Sequence, residues 1–156
     1  MSMPTAARTL TMLALLALAL SSGGCTSSSL NARPMPPIVG AWVVRAPEAP
    51  FPLHVFVFHP DGTVEQSNPD AGDPKTSDSN LTGVWTPDGG AVRGKLVEIA
   101  ADRSTHRFVS RTEIAFSIRV AGDTFRGTAE ARSYDAAGQL LDGHVHATLE
   151  GERVVP

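Results

Sequence analysis

With a single cysteine among 156 residues, the chain has no partner for an intramolecular disulfide and no thiolate set for a zinc cage. Charge is sparse. The 13 Lys and Arg against 16 Asp and Glu leave a formal net charge of −3, which is not the basic surface that nucleic-acid binding needs. No apolar run reaches the ~20 residues of a membrane-spanning helix; Leu10 to Leu20 is only 11 residues long. The nucleophile elbow, the P-loop, the dinucleotide fingerprint and His-Glu-x-x-His are all missing, which removes the enzyme classes recognisable by motif. Aromatic residues are few, so the placement of each Trp and Phe carries information about the core. Present in abundance are 14 glycines and 12 prolines, which predict frequent turns within one modest domain.

The N-terminus has the order of an export signal: Arg8, then the short apolar run Leu10–Leu20, then Ser21-Ser22-Gly23-Gly24-Cys25. Small residues directly before a lone cysteine resemble the bacterial lipobox. That resemblance implies a signal peptide over residues 1–24, removed on export, and a Cys25 carrying palmitate-type acyl chains as the new N-terminus. It further implies an anchor in the cell envelope. Thr26 after the cysteine would direct it to the outer membrane where the host has two membranes. The alternative is an ordinary secretory signal with an incidental cysteine. Residues 25–37 then form a flexible linker, rich in Ser and Pro and without a periodic apolar face.

From Ile38 onward, short runs rich in Val, Ile, Phe and Thr alternate with turn residues. Eight strands are predicted: Ile38–Ala46, Leu53–His59, Thr63–Ser67, Leu81–Thr86, Ala91–Ala100, Arg107–Val120, Thr124–Tyr134 and Gln139–Val154. Pro60-Asp61-Gly62, Pro87-Asp88-Gly89-Gly90, Gly122-Asp123 and Asp135-Ala136-Ala137-Gly138 punctuate them. Asn68 to Asn80 is polar and reads as a mobile loop. Arg103, Arg107 and Arg111 recur at helical spacing, but Ile114, Phe116, Ile118 and Val120 alternate at period two, which favours a strand. The expected fold over residues 38–156 is all-β: an eight-stranded antiparallel up-and-down barrel, since closure removes both sheet edges, with a β-sandwich as the alternative.

Gly40-Ala41-Trp42, Phe58-x-x-Asp61-Gly62-Thr63 and Gly83-Val84-Trp85 together resemble the lipocalin-like barrels of the calycin group and the allene-oxide-cyclase-like barrels. The resemblance implies that Trp42 plugs a closed barrel end and that Arg153, near the end of the last strand, lies across its ring. The C-terminal helix and Thr-Asp-Tyr-type motif usual in lipocalins are missing.

Strand alternation sets which side chains face inward. Trp42, Phe56, Phe58, Trp85, Phe116 and Ile118 are the expected apolar lining, suited to a small hydrophobic ligand if the lumen is not packed solid. Three residues are candidates for acid–base work: His54 on the Phe56 and Phe58 face, and Glu130 and Tyr134 if the seventh strand turns them inward. Gly127, Ala129 and Ala131 occupy the opposite face of that strand, and the sequence leaves its orientation open. His144 and His146 share one face at a spacing used by strand metal sites, with Glu130 or Tyr134 as a conceivable third ligand, but they oppose the apolar face. No cofactor is called for. Three functions remain: a membrane-tethered binder of a small hydrophobic molecule; a cyclase or isomerase; or a non-catalytic interaction module with a filled barrel. Whether the chain is an enzyme stays open at this point; export counts against biosynthetic cyclisation and tilts the expectation toward a protein that is not one.

Overall fold

The computed structural model describes residues 35–67, 73–141 and 143–156. The export segment, Cys25 and the linker up to residue 34 lie outside these, as do residues 68–72 and 142. The described chain forms nine strands: β1 Gly40–Arg45, β2 Leu53–Phe58, β3 Thr63–Ser67, β4 Thr76–Asp78, β5 Leu81–Asp88, β6 Ala91–Asp102, β7 Phe108–Ala121, β8 Thr124–Tyr134 and β9 Val145–Arg153. All pairings are antiparallel. Apart from β4, which pairs with β6, neighbours in sequence are neighbours in the sheet, and β9 pairs with β1 to close the ring. Leaving aside the short β4, this is the expected eight-stranded up-and-down barrel.

Period-two alternation explains the strands. In β1, Trp42 and Val44 are buried while Val43 and Arg45 face water; in β2, His54, Phe56 and Phe58 point in. The two-residue loop Gly89-Gly90 joins β5 to β6 with φ of 55° and 80°, the left-handed pair that a tight hairpin needs to match strand twist.

Two elements differ from the sequence expectation. Thr76–Asp78, assigned to the Asn68–Asn80 loop, is strand β4, paired with the overhang of β6 at Ala100–Asp102. It continues the line of β5 across a break at Ser79. The Ser79 amide donates to the Ile99 carbonyl at 3.0 Å, and the Ser79 hydroxyl accepts from the Ile99 amide at 3.1 Å, so a side chain completes the ladder. Asp73 caps the turn before it, accepting from the amides of Lys75 and Thr76. The last strand starts at Val145 rather than Gln139. Before it, the Asp135 carboxylate gathers the amides of Ala137 and Gln139 into a turn, leaving Leu140 a single bridge to Tyr134.

The barrel has two unlike ends. At one end lie the tight turns at 59–62, 89–90 and 122–123 together with both ends of the described chain; at the other lie the described connections 46–52, 73–80, 103–107 and 135–141. The first end is closed by side chains. Trp42 is fully buried, donates from Nε1 to the Ile38 carbonyl at 2.7 Å and packs on Phe125 at 5.0 Å between ring centroids. The Arg153 guanidinium lies 4.2 Å from the Trp42 ring, the placement that the resemblance implied. It also donates to the carbonyls of Val39 and Pro37 and pairs with Asp123. Gly40 lies beneath it with φ 128°, a conformation that residues with a side chain rarely adopt, and a Cβ there would also crowd the Arg153 Nη1 at 2.9 Å. Trp85 shares its Nε1 proton between the carbonyls of His59 and Thr63, tying β5 to the β2–β3 turn.

Candidate functional site

The open half of the barrel contains a cavity of about 260 Å³. Phe56, Phe116, Leu81 and Leu149 form its apolar lower wall, and Ala46, Ala49, Pro50 and Phe51 of the β1–β2 connection lie across it. Space exists because β8 and β9 present small residues there: Ala129, Ala131 and Ala147. This answers the orientation of β8 left open by the sequence, since the alanines point in and Glu130 and Arg132 point out. The Glu48 carboxylate fastens the β1–β2 connection to β9, accepting from the amide and hydroxyl of Thr148 at 3.0 and 2.8 Å. That amide lies beyond the last β1–β9 pair, Arg45 with Glu150, so the carboxylate replaces a missing strand partner.

A polar belt rings the cavity near its mouth. On one side His54 and Gln66 are buried and bonded to each other, Nδ1 to Nε2, at 3.1 Å. On the other, Asp78, Glu98, Thr112 and Ser133 come from β4, β6, β7 and β8 in turn. Glu98 stands opposite Thr112, and the hydroxyls of Thr112 and Ser133 are 2.7 Å apart. Burial pushes the Glu98 carboxyl up to about 7, and the charge of Asp78 adds to the rise. Burial holds the His54 imidazole below its ordinary value, against the effect of a backbone hydrogen bond at Phe51, so it is neutral at neutral pH.

The raised Glu98 carboxyl has a consequence for stability. Between about 4.5 and about 7 the folded protein holds a proton there that the unfolded chain has released. This group's contribution therefore becomes less favourable as pH rises through that window, and the full penalty stands above it. Glu98→Gln is expected to raise the unfolding temperature at pH 8 by a few degrees, corresponding to roughly 1 kcal/mol after allowance for the solvent that still reaches a half-buried group. The gain should vanish at pH 4. Calorimetry of both proteins at the two pH values checks it; a gain independent of pH would contradict the assignment.

The residues expected from sequence divide sharply. Phe56 and Phe116 line the cavity and His54 stands in its belt. Trp42, Phe58, Trp85 and Ile118 are packed below it in the closed half, where Phe58 meets Trp85 and Phe116 edge-on at 6.2 and 6.0 Å. Glu130 and Tyr134 are on the outer wall: Glu130 binds Arg132 and His144, and Tyr134 lies under Arg111. His144 and His146 are also outside, with rings 5.3 Å apart. Among the described residues, no group of three or more His, Cys, Asp or Glu side chains is placed to hold a metal ion. Asp78, Glu98, Thr112 and Ser133 were not anticipated. A signal for Glu98 existed: it shares the period-two face of Val92 and Leu96, where a carboxylate is out of place.

Fold and site together define a closed antiparallel β-barrel, filled at one end and hollow at the other. Compared with protein-family models, curated proteins and solved structures, the chain matches none.

Proposed function

We propose that this chain is a lipid-anchored protein of the bacterial cell envelope whose barrel holds a small hydrophobic molecule in its open half. The cavity carries the reading: an apolar pocket of about 260 Å³ beneath a polar belt, the composition typical of small-molecule sites. Its volume is that of roughly nine water molecules in the liquid, which fits a short-chain or single-ring guest. The lipobox-like Ser21-Ser22-Gly23-Gly24-Cys25 supports the anchor, and Gly40-x-Trp42 with Arg153 supports kinship with the lipocalin-like barrels.

A guest of this size removes on the order of 150–250 Å² of apolar surface from water, comparable to one aromatic side chain. That contributes about 4–6 kcal/mol before the losses of association are subtracted. Apolar burial alone therefore gives at best millimolar to high-micromolar affinity. Tighter binding requires the polar belt.

The test is mass spectrometry of the full chain purified from membranes. Under native conditions a reproducible excess mass of the size of a short-chain or single-ring guest, on the order of one to two hundred daltons, is expected, released on denaturation; the denatured mass reads the acyl chains on Cys25 directly. Ala131→Phe should remove the retained mass, because the new ring occupies the cavity, while leaving the unfolding temperature unchanged or higher. An excess mass that survives this substitution would place the guest elsewhere. No excess mass, and no uptake of a small environment-sensitive fluorophore, would overturn the reading.

One observation favours the cyclase or isomerase alternative. A carboxyl near pH 7 inside an apolar pocket is poised for proton transfer. A retained guest that is chemically altered on incubation with the parent protein, but not with Glu98→Gln, would decide for it.

A further inference from the structure

The belt carries an asymmetry of charge that specifies the guest. Among the described residues, the charged and titratable ones on the cavity wall are Asp78 and Glu98 together with His54, with no Lys or Arg. The two acids sit side by side. Asp78 pairs with Ala100, two positions along β6 from Glu98, so both side chains lie on the inward face of adjacent strands. The neutral His54 ring stands on the opposite wall, committed through Nδ1 to Gln66. Thr112 and Ser133 add two hydroxyls beside Glu98, each able to accept a hydrogen bond. Leu81 of β5 and Ile114 of β7 bring no charge.

We propose that the cavity selects a guest with a protonated amine head and a short apolar tail, the head seated between Asp78 and Glu98 and the tail directed toward Phe56 and Phe116. This deepens, and rests on, the reading of the cavity as a holding site. The reasoning is electrostatic. Two carboxylates held close in a partly dry site repel each other, and an ammonium between them replaces that repulsion with two attractions. A carboxylate-headed guest would bring a third negative charge into the same space, where like charges are strongly disfavoured. An alcohol would neither relieve nor add charge. Proton balance follows: an ammonium that draws Glu98 into its ionised form releases a proton to solvent on binding near pH 7, whereas an alcohol does not.

Three probes with a common six-carbon tail separate the possibilities: hexylammonium, hexanol and hexanoate, titrated calorimetrically into the full chain at pH 8, with Ala131→Phe as the reference for binding outside the cavity. Hexylammonium is expected to bind at least tenfold tighter than hexanol, and hexanoate weakest. Glu98→Gln and Asp78→Asn should each reduce the ratio of amine to alcohol affinity at least fivefold. Near pH 7, hexylammonium should release protons into buffers of different ionisation heat. Hexanoate binding as tightly as hexylammonium, or an amine-to-alcohol ratio intact in both variants, would overturn the head-group selection while leaving the holding site standing. Failure of all three probes to bind beyond the Ala131→Phe reference would overturn the holding site and the selection together.

Discussion

Trp42→Ala is expected to remove about 3–5 kcal/mol of folding free energy, the range for emptying a large aromatic site in a core. Set against the ~5–15 kcal/mol that stabilises a typical domain, this is enough to leave a substantial unfolded population at 37 °C. Three losses combine. The ring is completely buried, so its volume becomes a cavity that neighbours fill only in part. Its Nε1 bond to the Ile38 carbonyl at 2.7 Å goes, leaving a buried acceptor without its donor. Phe125 and Arg153, at 5.0 and 4.2 Å, lose the surface they pack on. Trp42→Phe separates these contributions: it keeps much of the volume and loses the hydrogen bond, and should cost about 1–3 kcal/mol. Urea unfolding followed by circular dichroism measures both. A loss below ~1 kcal/mol for the alanine variant would show that the closed end is not what holds the barrel together.

The packed apolar face, including that closed end, was the most legible part of the molecule. Gly40-x-Trp42, the inward faces of the first two strands, and the run Ile114, Phe116, Ile118 all follow from period-two alternation, and local pattern suffices where packing is uniform. The eight-strand count followed largely from turn chemistry, because Pro60-Asp61-Gly62, Pro87-Asp88-Gly89-Gly90, Gly122-Asp123 and Asp135-Ala136-Ala137-Gly138 each mark a strand boundary. Legibility failed where long-range partners decide. Thr76–Asp78 has no strand signature of its own and becomes β4 only because β6 runs past the end of β5 and offers unpaired backbone groups. Glu130 and Tyr134 looked chemically promising beside three small residues, yet it is those small residues that face inward, since the barrel needs slender side chains on β8 to make room. Aromatics alone did not define the cavity: a full core and an empty lumen have the same composition, and the division between them depends on where Ala129, Ala131 and Ala147 come to lie. The side of the polar belt that faces His54 was missed for a related reason. Its residues are singletons on four strands, and only the register of β4, β6, β7 and β8 gathers them.

A second large effect is expected at Gly83, and its sign is the informative part. Replacing a strand glycine by alanine ordinarily stabilises a protein by about 0.5–1 kcal/mol, because glycine loses more conformational freedom on folding. At Gly83 the opposite should hold. A Cβ built there would fall 1.8 Å from the Lys95 carbonyl oxygen and 2.8 Å from the Leu96 Cα. Both are backbone atoms of the paired strand, so no rotamer change relieves the clash. Nor can β5 retreat: Gly83 pairs with Leu96 on one side and with Val64 on the other. Gly83→Ala is therefore expected to cost about 3 kcal/mol or more, at or beyond the upper end of ordinary overpacking. The damage should be directional. Parting β5 from β6 disturbs Leu81 and Glu98, which lie just beyond this point on the cavity wall, before it disturbs the Trp42 cluster on the other side of the ring. Hydrogen exchange should thus show lost protection first along β5 and β6, accompanied, on the proposal of a holding site, by loss of its guest, while the amides of β1 and β9 stay protected. An alanine variant as stable as its parent would mean that the two strands do not approach this closely, and the seam that links the glycine of Gly83-Val84-Trp85 to the shape of the cavity would be lost with it.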